Sequence, residues 1–256
     1  MTTSPKPLTT QQLTTLKIIY KFRFITADLL SKYRNISLPT AKESLTILLK
    51  SNYIGRHYEK SYKLLGKGAR YYLTAQSLKL LRDQEGLNER VLHGRYKDKS
   101  AAEGFIESSL EVFKTALAIR SLYPDTFTIF TQYELADYSY FLRPLPSLYL
   151  KRNKLVAPKP STYFIELVGD TQFFIITKRI GQYIEHYESG EWVRGAYPQI
   201  VFRVNTIALQ KRIDEYIENL IENGYIDEDE LAIEATQVVG ELWCLLSSFS
   251  SYSGRI

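Results

Sequence analysis

Two short helical stretches, a turn between them and a cation-rich strand pair occupy residues 24–73, and no other stretch of the chain leaves so few folds open. Thr26 precedes Ala27-Asp28-Leu29-Leu30-Ser31-Lys32-Tyr33. A threonine there caps a helix by accepting from free N–H groups of the first turn, and Asp28 sits where the helix dipole favours negative charge. Asn35-Ile36-Ser37 has turn chemistry. Proline is tolerated in a helix only in its first turn, so Pro39 predicts a second helix from about Leu38 to Asn52. At ~100° per residue, Leu38, Ala41, Leu45, Leu48 and Leu49 share one face. Thr40, Glu43, Ser44, Ile47, Lys50 and Ser51 share the other, with Lys42 and Thr46 on a flank.

The residues after Asn52 make the pattern specific. Ile54-Gly55-Arg56-His57-Tyr58 reads as a strand, Gly66-Lys67-Gly68 as a turn and Arg70-Tyr71-Tyr72-Leu73 as the returning strand, with Thr74 capping a further helix. A hairpin directly after the second helix is the winged form of the helix-turn-helix, a module that docks on duplex DNA. Its second helix enters the major groove and reads base edges, which assigns that role to Thr40, Lys42, Glu43, Ser44, Ile47 and Lys50. Ile47 is apolar on this face; it either meets a thymine methyl or packs under the wing. The hairpin carries Arg56, His57, Lys60, Lys63, Lys67 and Arg70. Cations there displace condensed counterions and give affinity without sequence information.

A winged helix can also bind protein, and charge argues against that here. Residues 1–100 hold 19 Lys and Arg against 7 Asp and Glu, a net +12; residues 101–256 hold 14 against 21, a net −7, which together give the +5 of the whole chain. Such asymmetry points to one polyanion-binding half. The length of 256 residues suits two domains, each able to bury its own core. The single cysteine, Cys244, excludes an internal disulfide framework and a Cys-based zinc site, and fits a reducing cytoplasm. His57, His93 and His186 are too scattered for a metal cluster. No apolar run approaches the ~20 residues of a membrane span, and the N-terminus lacks the apolar core of a signal peptide. No cofactor is expected, since a phosphate-cradling Gly-rich loop and a nucleophile triad have no local support.

In chain order, Met1–Leu8 reads as a loose arm, and a first helix opens at Thr9 or Thr10 with Leu13, Leu16, Ile19 and Tyr20 inward. Phe22–Ile25 is expected as a short strand beside the wing. Ala75–Leu87 is a helix, and residues 88–100 a polar, basic linker. Ala101–Leu122 is a long helix stopped by Pro124. Strands are expected at Thr126–Tyr133, Tyr138–Leu142, Ser147–Leu150, Thr162–Val168, Phe173–Thr177 and Gln199–Asn205, with a hairpin turn at Lys151-Arg152-Asn153-Lys154. Helices are expected at Lys178–Ser189 and Ile207–Glu222, a short strand at Leu231–Ala235, and a closing helix or strand at Val238–Leu246 before a frayed tail. The fold class is therefore α+β: a winged helix-turn-helix over 1–87, the linker 88–100, a small α/β sandwich over 101–246 and a tail at 247–256.

The stretch from Leu8-Thr9 through the winged helix to Tyr71-Tyr72-Leu73-Thr74, with Leu80 beyond, resembles the replication-relaxation family of plasmid-type proteins. Arg143-Pro144-Leu145, Phe164-Ile165-Glu166-Leu167 and Arg179-Ile180-Gly181-Gln182-Tyr183 continue the resemblance to about Leu220. It implies a restriction-endonuclease-like second domain and a role in plasmid replication, relaxation or mobilisation. It also implies partners such as a relaxase or replication initiator, and the DNA-binding module adds the expectation of a homodimer. The departures bear on activity. A magnesium-dependent nuclease of that fold needs an aspartate on its second strand and Glu-x-Lys on its third. Leu145 and Val168 stand at two of those positions. Glu166 and Lys178 are then vestigial candidates, Glu166 pairing with Lys178 or Arg179, while Asp137 or Asp170 are the carboxylates left to replace the missing aspartate. The leading expectation is a non-catalytic, double-stranded DNA-binding accessory protein. A transcriptional regulator with a sensing α/β domain and a divergent nuclease are its rivals.

Overall fold

The computed structural model describes residues 8–85, 94–154, 160–227 and 229–237. Met1–Pro7, Leu87, His93, Cys244, the closing element expected at Val238–Leu246 and the tail lie outside them. The chain divides into two compact units, Met1–Leu117 and Ala118–Ile256.

In the first unit the helix starts have their expected chemistry. Helix α1 (Thr10–Phe22) opens on a capping box: Thr9 Oγ1 accepts from the Gln12 N–H at 3.3 Å, and Gln12 Oε1 from the Thr9 N–H at 2.8 Å. Thr26 caps α2 (Ala27–Arg34) by accepting from the Leu29 N–H at 3.2 Å, and Asn35 ends it with a left-handed φ of 52°. Ser37 caps α3 (Leu38–Lys50), with Pro39 in the first turn. Strand β1 (Ile54–His57) pairs antiparallel with β2 (Arg70–Leu73), Ile54 facing Leu73 and His57 facing Arg70. The strand expected at 22–25 contracts to one bridge: Ile25 and Tyr71 exchange N–H···O bonds of 3.1 and 2.8 Å. The wing is also more than a turn. A short helix α4 (Lys60–Leu64) lies between its strands, and Gly66, at φ +63°, makes the return. Helix α5 (Ala75–Glu85) follows.

Residues 94–100 are not a solvated linker. They form a 3₁₀ helix η1 (Gly94–Ser100) in which Arg95 and Asp98 are buried. Composition misleads here because Arg95 and Asp98 pair with one another and with the end of α1 rather than with water, while Lys97 and Lys99 stay exposed. Helix α6 (Glu103–Leu122) then packs its first half in the same unit: Phe113 stacks on Phe22 at 4.0 Å, and Phe105 meets the edge of Phe24 at 6.2 Å. The helix expected to open the second domain therefore completes the first, and the division falls within it.

The second unit is a five-stranded mixed sheet with helices, so the chain as a whole is α+β. Strands β3 (Phe127–Thr131), β4 (Leu148–Arg152) and β5 (Thr162–Leu167) pair antiparallel in turn, and β6 (Gln199–Arg203) and β7 (Ile233–Thr236) add parallel to β5, in the order β3-β4-β5-β6-β7. A short helix α7 (Gln132–Leu135) follows β3. Helices α8 (Phe173–Glu188) and α9 (Ile207–Glu222) make the crossovers into β6 and β7. Parallel strands covered on both faces read as continuous apolar runs, and Tyr163-Phe164-Ile165 and Ile200-Val201-Phe202 are all buried.

Three expected features of this unit change. Tyr138–Leu142 is not a strand; its Phe141 and Leu142 pack into the core from irregular chain. Phe173–Thr177 is the start of α8, because Ile176, Ile180 and Tyr183 fall on one buried helical face and outweigh the strand preference of a Phe-Phe-Ile-Ile run. Lys151 and Arg152 extend β4 instead of turning.

Gly55 in β1 admits no side chain, since an added Cβ would land in the ring of its cross-strand neighbour Tyr72. Gly55→Ala is expected to cost about 1–3 kcal/mol, read as a lower melting temperature of the full chain by calorimetry. An unchanged melt would contradict this packing of the wing.

Candidate nucleic-acid interface

Helix α3 turns Ala41, Leu45 and Leu48 into the first unit's core and leaves Thr40, Lys42, Glu43, Ile47 and Lys50 exposed, with Ser44 half-buried. Leu38, expected inside, is 38% exposed. Ile47 is 42% exposed, so it faces solvent rather than packing under the wing. The Thr40 hydroxyl shares a 2.8 Å hydrogen bond with Ser37 Oγ, which ties it to the helix cap.

The wing cations separate into two groups. Arg56, Lys60 and Lys63 are exposed, and none has a carboxylate partner within salt-bridge distance among the described residues. Arg56 lies over the Tyr58 ring at 5.5 Å. The other group is held by partners within the first unit. Arg70 is 3% exposed, pairs with Glu107 and with Glu103 at 3.4 Å, donates to the Gly68 carbonyl at 3.2 Å, and lies 4.0 Å over the Tyr62 ring. Arg70 is therefore a structural residue and not a phosphate contact, because β2 presents it to α6. Lys67 reaches the same two acids, at 3.3 Å and 3.5 Å. His57 is half-buried, and its Nε2 bonds the Asp98 carbonyl at 2.8 Å. The sequence carried a sign of this second group in Glu103 and Glu107, spaced i,i+4 at the start of a helix.

No sequence pattern singles out Asp98, which the structure buries. Its Oδ1 accepts from Arg23 Nε at 2.7 Å and lies 2.6 Å from a second nitrogen of that guanidinium, while Arg95 approaches Oδ2 at 3.8 Å. Arg95 also donates to the Tyr20 carbonyl, and Arg23 to the Gly94 carbonyl at 3.1 Å. Burial raises the Asp98 pKa, with the two arginines opposing that shift. Nearby, burial and the bond to Glu103 push the Tyr62 hydroxyl up to about 12. The hydroxyl in turn lowers Glu103, helped by Lys67 and Arg70.

In the second unit a cleft of about 320 Å³ is lined by Pro144, Glu166, Val168, Lys178, Arg179 and Gln182, among others. Glu166 Oε1 accepts from Arg179 at 2.8 and 2.5 Å and from the Tyr183 hydroxyl at 2.6 Å, and Ser147 Oγ lies 3.3 Å from Oε2. Its partner is thus Arg179, while Lys178 stands at the cleft wall. Burial, then the Glu166 charge, raises Tyr183 well above its ordinary value. Neither Asp137 nor Asp170 lines this cleft, and the described residues contain no group of three or more His, Cys, Asp or Glu able to hold a metal. These residues do not fit a magnesium ion, which takes several oxygen ligands including carboxylate, whereas the one acid in this cleft is neutralised by Arg179. No helix among the described residues is long and apolar enough to cross a membrane.

Comparison with known proteins adds little. No family model and no curated protein matches the chain. Among solved structures it is similar to a cysteine-to-serine mutant of MarR from E. coli complexed with operator DNA, at 20% identity over 43% of this chain and 76% of that one, with a TM-score of 0.28. A likeness of that size carries no weight beside the geometry.

The lowered Glu103 sets a sign for acid. A carboxylate whose folded pKa lies below its unfolded value stabilises the fold above the carboxylate range, and that contribution fades as pH falls through the folded value. Glu103→Gln is expected to melt below the parent at neutral pH, with the gap closing on acidification. A gap constant from pH 7 to about 2, below the ordinary carboxylate range, would contradict the pairing with Tyr62, Lys67 and Arg70.

Proposed function

We propose that the chain binds double-stranded DNA, with α3 in the major groove and the wing on the backbone. The observation that carries this reading is the set of outward cations on one run of elements: Lys42 and Lys50 on α3, Arg56 on β1, Lys60 and Lys63 on α4, against Glu43 and Glu59. Neutralising phosphates with such groups releases counterions and supplies affinity. Lys42, Ser44 and Ile47 are the side chains for base edges, Ile47 offering a methyl-sized apolar contact to thymine. The pairing of Lys67 and Arg70 with Glu103 and Glu107 supports this division, since it fixes the wing's position without drawing on the other cations.

The process we assign is plasmid replication, relaxation or mobilisation, with the protein as an accessory that homodimerises or recruits a relaxase or replication initiator. It is supported by Pro144, Glu166 and Arg179, three positions of the family resemblance, lining one cleft. The strand succession, two antiparallel pairings and then parallel strands joined by α8 and α9, accords with a nuclease-like sandwich. With Glu166 occupied by Arg179 and Tyr183, we read that sandwich as non-catalytic. A second reading, a transcriptional regulator, draws on the cleft volume of about 320 Å³, which lies in the range of small-molecule pockets.

Lys60→Ala with Lys63→Ala is expected to weaken binding to every duplex and to flatten the slope of log affinity against log salt by about one unit per lost phosphate contact. Ser44→Ala or Ile47→Ala is expected to change which sequence is preferred while leaving that slope in place. Anisotropy titrations at several salt concentrations distinguish the two. Wing variants with unaltered affinity would remove the wing from the interface.

A further inference from the structure

At the tip of the wing, Leu64 and Leu65 are 88% and 67% exposed, side by side in water. They are not on a loose loop. Tyr62, two residues before Leu64, is buried with its hydroxyl on Glu103 and its ring under Arg70. The Leu65 N–H returns to the Ser61 carbonyl at 3.0 Å, and the Lys67 N–H to the Tyr62 carbonyl at 2.8 Å. Gly66 turns the chain directly after them, and Lys67 is tied back to α6. The leucine pair is thus held out on a braced knuckle.

We infer that Leu64 and Leu65 form a wedge that enters between base pairs of bound duplex and bends it. This rests on the DNA-binding reading above and adds how the wing engages. The occupant follows from charge: Lys60 and Lys63 are exposed on the same short helix, with Arg56 on the strand before it, and the acid beside them in sequence, Glu59, is 3.4 Å from the Ser61 hydroxyl. A duplex answers both features at once, phosphates for the lysines and stacked bases for the apolar tip. Leucines inserted at a base step unstack it and kink the helix axis. Insertion requires a rigid support, which Tyr62, Arg70, Glu103 and Glu107 supply. Pyrimidine–purine steps and mismatches unstack most readily, so the wedge also selects sequence at positions where no side chain reads a base edge.

The test uses the full chain and a panel of end-labelled duplexes, read by fluorescence energy transfer for bending and by anisotropy for affinity. The parent is expected to bend bound duplex by about 20° or more, and to favour a duplex with a central mismatch several-fold over a matched A-tract. Leu64→Ser with Leu65→Ser, both at exposed positions, is expected to keep its melting temperature and to bind with the bend and the mismatch preference gone. A parent that binds without bending, or a variant that bends as the parent does, overturns the wedge and leaves DNA binding standing. No binding by the parent fails both. Loss in the variant of vesicle binding or of self-association, with DNA bending intact, would assign the leucines to lipid or to a second copy and overturn the wedge.

Discussion

The first unit depends on a carboxylate that water does not reach. Asp98 sits between Arg23, just past the end of α1, and Arg95, while its own carbonyl takes His57 from the wing. Three stretches of the chain are fixed by that one residue. Removing one partner of a buried ion pair typically costs about 3–5 kcal/mol, because it strands the other charge, and Asp98 has two guanidinium partners to strand. The order of α1 and β1 relative to η1 therefore follows from a polar contact rather than from apolar burial alone.

The second brace, Tyr62 and Arg70 against Glu103 and Glu107, continues the same logic outward. It holds α4 and β2 to α6, and it decides which cations of the wing remain for a partner. A wing whose basic residues were all exposed would carry more charge and less shape. Here Arg70 and Lys67 give position, and Arg56, Lys60 and Lys63 give charge. The apolar tip at Leu64 and Leu65 is presented by the residues that hold Tyr62 down. In the second unit Glu166 is treated in a comparable way, with Arg179 and Tyr183 occupying it, so an acid at a cleft wall does not by itself imply catalysis.

Much of this was legible in the chain. Thr26 marked a helix start through its hydroxyl and Pro39 through its missing N–H, and both stand at helix starts in the structure. The outward face of α3 followed from helical spacing, apart from Leu38, which lies at the first turn where little covers it. The wing strands were found to within a residue. What failed had a shared cause. Arg70, His57, Arg95 and Asp98 are polar residues turned inward, and composition alone places polar residues in water. Their contacts with Glu107, Arg23, Tyr20 and each other span as many as 75 residues of sequence, as with Arg23 and Asp98, so no local pattern records them. Phe173–Thr177 failed differently: its side chains suit a strand, and only the longer period through Tyr183 shows the helix.

The central claim is that the outward cations of α3 and the wing bind duplex DNA, and salt dependence tests it most directly. The measurement is the affinity of the full chain for random-sequence duplex at about 50 and about 200 mM salt. With about four phosphate contacts the affinity falls roughly 100-fold across that interval, and this is the expected result. Affinity that does not change with salt, or no binding at the lower concentration, would contradict the account.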